Sequence, residues 1–154
     1  ELSGIDSEQN STVISEAVER KRQEFEHQKA VRKITIGEAK TCWQLIYEII
    51  ESKGMSKSHF CSATGLGEEV YRKAQKNHDT TPNMRTIIAF ARGLDLGIEV
   101  TEKLLQSAGH AFNDSDEHQA LRFCITHFSG CPLEECNEFL ISYGYAPLGT
   151  QQRA

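Results

Sequence analysis

The side chains best placed to do chemistry lie between residues 54 and 96. Glu68, Glu69, Arg72, Lys73 and Lys76 fall at helical spacing and share one outer face, leaving Val70, Tyr71 and Ala74 for the inner one. Guanidinium and ammonium groups on such a face can pair with guanine O6 and N7, and carboxylates can accept from cytosine N4. The two glutamates also have a plainer reading. At a helix start, acidic side chains stabilise by about 0.3–1 kcal/mol each through the helix dipole. Helix-start chemistry is the favoured reading of Glu68 and Glu69. Nucleic-acid contact is the favoured one for Arg72, Lys73 and Lys76.

Other constellations are weaker. Cys124, His127, Cys131 and Cys136 resemble a metal set only in composition, because zinc needs four convergent ligands in paired knuckle spacings. Cys124 and Cys136 fall on apolar faces and Gly130 interrupts the run, so buried cysteines beside a surface histidine are expected, with no metal. His59 and His78 flank the charged helix and at most make pH-sensitive phosphate contacts. Glu134, Glu135 and Glu138 read as a solvated or partner-facing acidic surface. No nucleophile, zincin or phosphate-loop motif occurs, so neither catalysis nor a cofactor is expected.

The elements that position these residues are helical. A charged helix is expected from about Thr12 to Arg32, then an extended stretch from Lys33 to Gly37. From Glu38 to Lys53, Cys42, Leu45, Ile46, Ile49 and Ile50 form a firm amphipathic stripe that stops at Gly54. Ser56 caps a short helix to Thr64 with Phe60 and Ala63 inward, Gly65 makes a turn, and Glu68 to Lys76 follows. Thr81-Pro82 starts the next helix, whose inner residues are Met84, Ile87, Ile88, Ala91 and Leu94. Three more helices are expected. They comprise Glu99 to Ala108, one opened by Asp114-Ser115-Asp116-Glu117 with Leu121, Cys124, Ile125 and Phe128 inward, and one from Pro132 to Gly144 with Leu133, Cys136, Leu140 and Tyr143 inward.

Two short helices joined at Gly65, with small Cys61 four residues before it and apolar Tyr71 six after, have the layout of a helix-turn-helix. Gly54-Met55-Ser56-Lys57, Phe60-Cys61, Thr64-Gly65-Leu66, Pro82 and Ile87 to Leu94 resemble the phage-repressor (Xre) helix-turn-helix family over about residues 41–96. Leu104 to Gly109 and Glu134 to Leu140 are similar to helical tails of some regulators of Gram-positive bacteria. The resemblance implies an all-α, lambda-repressor-like bundle that reads double-stranded DNA as a homodimer, in a transcriptional regulator or antitoxin-like repressor. It places Glu68, Glu69, Arg72 and Lys73 toward bases, and Ser56, Lys57, Lys76, Asn77, Asn83 and Arg85 toward phosphates. The family often carries Ser, Gln or Asn where this chain has Gly67, Glu68 and Glu69.

Composition bounds the alternatives. The 154 residues carry a net charge of −5, which argues against a general nucleic-acid coat or a membrane-surface binder. Charge is uneven, with 7 basic and 6 acidic residues over 41–97 but 3 and 8 over 98–154. Five cysteines with no CxxC pair fit a reducing compartment, and a cytoplasmic location is expected. The expected organisation is an N-terminal helical extension over 1–37, a helix-turn-helix domain over 38–112, a C-terminal helical hairpin over 113–146 and a tail over 147–154. The competing reading is a protein-interaction module that keeps the fold without reading DNA, using the acidic C-terminal helices for a protein partner.

Overall fold

The computed structural model describes residues 15–35 and 40–149. Among them lie eight α-helices and no strand: α1 (Glu16–Thr35), α2 (Cys42–Ser52), α3 (Lys57–Thr64), α4 (Glu68–Gln75), α5 (Met84–Gly93), α6 (Gly97–Ser107), α7 (Asp116–His127) and α8 (Leu133–Ser142). The all-α expectation is met.

The core forms around α5, in which Ile87, Ile88, Ala89, Phe90 and Ala91 are all buried. A helix apolar on every side belongs in the middle of a domain. It packs against α3, α6 and α7, while α2 packs against α4 and α6. The inner residues expected for α2 are buried, joined by Trp43.

Helix starts follow from caps. Thr41 accepts from the Gln44 amide at 3.1 Å while the Gln44 side chain accepts from the Thr41 amide at 2.8 Å, a reciprocal capping box. The Thr12 and Glu38 starts, and the extended Ile36-Gly37, lie outside the described residues. Lys33 to Thr35 correct the expectation of an extended segment by continuing α1, because Val31 and Ile34 keep one face on the core. Asn83, not Thr81, caps α5, accepting from the Thr86 amide at 2.8 Å. Pro82 is buried just before it. Ser115 caps α7, accepting from the His118 amide at 3.2 Å.

The largest departure is at the C-terminus. The segment after α8, expected to trail as a tail, folds back onto the turn between α3 and α4, where Gly149 lies against Thr64 and Gly65. Leu148 is fully buried. Its amide donates to Asn137 Oδ1 at 2.7 Å and its carbonyl accepts from Asn137 Nδ2 at 3.1 Å, so one side chain satisfies both backbone groups. Tyr143, expected inward, is instead exposed, because Leu140 completes the inner face of α8 and Tyr143 falls one residue past the helix end.

Gly93 lets α5 and α3 approach closely. A Cβ there would sit 2.6 Å from the Ala63 carbonyl oxygen and 2.9 Å from Thr64 Cα, both backbone atoms that cannot swing aside. Gly93→Ala is expected to destabilise the fold by about 1–3 kcal/mol, read as a lower midpoint in urea with an unchanged slope.

Candidate nucleic-acid interface

The candidate interface is built on α3, the turn at Gly65, and α4. Ser56 fixes the start of α3 by accepting from the His59 amide at 3.1 Å. Phe60 is fully buried and anchors α3. At the C-terminal end Thr64 Oγ1 donates to the Phe60 carbonyl at 2.8 Å and accepts from the Leu66 amide at 3.1 Å, which stitches the turn. Gly65 takes φ +77°, left-handed backbone where glycine meets no Cβ penalty.

Aromatic contacts seat α4. The Tyr71 ring meets Phe60 edge-on at 5.5 Å between centroids and Tyr47 of α2 at 6.1 Å, while Ala74 is buried beneath. Burial and the neighbouring Tyr47 push the Tyr71 phenol above its ordinary pKa, so it stays neutral. With this inner face fixed, Glu68, Glu69, Arg72 and Lys76 are exposed and Lys73 is half-buried.

Charges on that outer face are mutually engaged. Glu68 Oε1 lies 2.9 Å from the Arg72 guanidinium and 3.6 Å from Lys57 Nζ, so one carboxylate bridges α3 and α4. All three groups are about half exposed, and pairs of this kind contribute only ~0.2–1 kcal/mol. Among the described residues no carboxylate stands within ion-pair distance of Lys73 or Lys76.

The remaining positions divide. Glu69, Lys73, Asn83 and Arg85 line one cleft of about 290 Å³ between α4 and the start of α5, whose far wall is Gly149. Asn77 has φ +51° just past α4, and its Oδ1 accepts from Thr41 Oγ1 at 2.6 Å. Asn83 uses its side-chain oxygen as the α5 cap. Arg85 turns toward the C-terminal segment, donating to the Ala146 and Pro147 carbonyls and pairing with Glu117 at 3.1 Å. Its guanidinium is therefore committed within the chain.

Two polar residues outside the predicted site have clear structural work. Asn137 clamps Leu148. Arg92, buried in α5, donates to the Cys131 carbonyl at 2.7 Å and the Phe128 carbonyl at 3.2 Å, tying down the loop between α7 and α8. An arginine directly after the apolar run Ile87 to Ala91 is the sequence signal for it.

Among the described residues no group of His, Cys, Asp or Glu is placed to hold a metal, and no helix is long and apolar enough to cross a membrane. The cysteines are free; Cys42, Cys124 and Cys136 are buried and Cys61 and Cys131 half-buried. Burial pushes the Cys42 thiol up to about 11, and a hydrogen bond with its partner Cys136, together with burial, pushes Cys124 upward as well. A thiol-alkylating reagent applied to the native protein is expected to modify Cys61 and Cys131, and the other three only on unfolding. Mass mapping of the labelled peptides checks this.

Compared with known proteins, the chain matches no family model, no curated protein and no solved structure.

Proposed function

We propose that this chain binds double-stranded DNA through the outer face of α4, as a transcriptional regulator or antitoxin-like repressor of the phage-repressor helix-turn-helix kind. The observation that carries the reading is the seating of α4. Its inner face is locked by Tyr71 and Ala74, its outer face is exposed apart from half-buried Lys73, and among the described residues no carboxylate lies within ion-pair distance of Lys73 or Lys76. In this reading α4 enters the major groove, with Arg72 and Lys73 at base edges. Lys57 and Lys76 contact phosphates, and the Ser56 cap aims the start of α3 at the backbone. Two copies bind a two-fold site whose half-sites lie about one helical turn apart. Arg85 belongs to the C-terminal clasp and is not counted among the phosphate contacts.

Glu68 acts as a brake on this surface, because it holds Lys57 and Arg72 while standing close to the phosphates. Glu68→Gln is expected to raise affinity for duplex DNA several-fold at low salt. A fall in affinity confined to one base position would instead make Glu68 a cytosine reader. The reading as a whole is tested by selecting duplexes from a random pool with the purified chain. Enrichment of one two-fold symmetric motif is expected; a pool that stays random after several rounds contradicts it.

The alternative, an interaction module that keeps the fold without reading DNA, is favoured by Glu68 and Glu69 together at the start of α4 and by the excess of acid over residues 98–154.

A further inference from the structure

The α7–α8 hairpin carries a continuous strip of rings. His127 stacks on Phe123 with centroids 3.9 Å apart and planes within 11°. Phe123 stacks on Phe139 at 5.3 Å, and Phe139 meets Tyr143 at 5.4 Å. The strip is open to solvent, with Phe123 40% and Tyr143 67% exposed. Of the five large apolar side chains exposed among the described residues, two lie in this strip. Rings already stacked on one another lose little conformational freedom when covered, which is why aromatic residues concentrate binding energy at interfaces.

The charge around the strip selects what can cover it. Residues 113–149 carry Asp114, Asp116, Glu117, Glu134, Glu135 and Glu138 against one arginine, Arg122, and no lysine, with Glu117 already held by Arg85. Arg122 faces Glu102 of α6 at 3.8 Å, so it is already opposed. Glu135 precedes Phe139 by one helical turn and Glu138 is the residue just before it, so both carboxylates border the ring strip on α8. A nucleic acid could stack on such rings, but its phosphates would meet a large excess of carboxylates. A second copy presenting the same face would bring like charges together.

We propose that the α7–α8 face is a docking surface for a lysine- and arginine-rich amphipathic segment of another protein. The segment would lay large apolar side chains on Phe123, Phe139 and Tyr143, with its cations directed to Glu135 and Glu138. Cations over the ring faces add to the ion pairing. The surface is separate from α4, so the inference stands whether or not the chain reads DNA.

The test uses the full chain and two synthetic 18-residue amphipathic helical peptides (the probe lengths are a design choice of about five turns), one built of Leu and Lys, the other of Leu and Glu. Binding is followed by calorimetry and by amide chemical shifts. The Leu/Lys peptide is expected to bind, with shifts centred on α7 and α8, and the Leu/Glu peptide not to bind. Phe123→Ala with Tyr143→Ala should weaken binding by roughly tenfold or more. Glu135→Lys with Glu138→Lys changes only exposed α8 charges, leaves the core intact, and should reverse the preference between the peptides. Three results would overturn the proposal. These are equal binding of both peptides, shifts centred elsewhere such as on α4, and self-association of the chain that the Phe123 and Tyr143 substitutions abolish, which would make a second copy the occupant.

Discussion

Replacing Arg72 and Lys73 together by alanine is expected to abolish specific duplex binding while leaving the fold intact. Each side chain that meets a guanine edge or a phosphate contributes about 1–3 kcal/mol, so each single substitution should weaken binding roughly tenfold or more. Arg72 is about half exposed and held only by a surface pair with Glu68, so its removal takes away little stability. Truncation at a base edge and truncation at a phosphate should differ in kind. Arg72→Ala should relax the preference at one base position, whereas Lys76→Ala should weaken all sequences alike and lower the salt slope by about one. Thermal melts of the variants, within a few degrees of the parent chain, distinguish weakened DNA binding from damage to the fold.

Leu148→Ala is expected to give the largest loss of stability of any single truncation outside the helices. Leu148 is fully buried, and emptying such a site costs about 2–5 kcal/mol. For a chain of this size that corresponds to a fall in melting temperature of roughly 4–20 °C. The effect should reach α3 and the turn at Gly65. Gly149 lies against the turn, 3.4 Å from where a Cβ on Gly65 would stand, and Leu133 of α8 packs on the same glycine. Asn137→Ala should mimic part of it by leaving the Leu148 amide and carbonyl without partners, at about 1–3 kcal/mol. Hydrogen exchange is the sharper readout, since both substitutions should increase exchange in α3 and the turn and not merely at the C-terminus. Unchanged exchange at 60–66 would mean that the clasp is ornamental to the motif.

What the sequence discloses is what local chemistry dictates. The Ser56 cap, the Gly65 turn and the stripe of α2 follow from interactions within a few residues, and they stand where the periodicity puts them. The Thr41–Gln44 capping box is equally local, a threonine three residues before a glutamine, and it sets the start of α2 within the stretch expected to begin near Glu38. At Thr81-Pro82 two local signals compete. Thr81 and Asn83 can both cap, and Asn83 prevails while Pro82 is buried before the helix. The clasp is illegible for a different reason. Leu148 stands alone among small and polar residues, and its burial depends on Asn137, eleven positions earlier, and on Arg85, more than sixty earlier. No window of sequence holds those three together. Arg85 shows the same limit at the candidate site. Its position at the start of α5 matches a phosphate contact, but Glu117 and two carbonyls of the returning chain hold its guanidinium.

The central claim is that the outer face of α4, with Arg72 and Lys73 on it and Lys76 just past its end, meets a duplex. Its most direct test is a titration of the purified chain with labelled fragments from its own upstream region, at low salt and again near 200 mM. Saturable binding that weakens by at least about a hundredfold over that range is the expected result, because each neutralised phosphate releases counterions. Absence of duplex binding at low salt would contradict the account and leave the fold as a scaffold for protein partners alone.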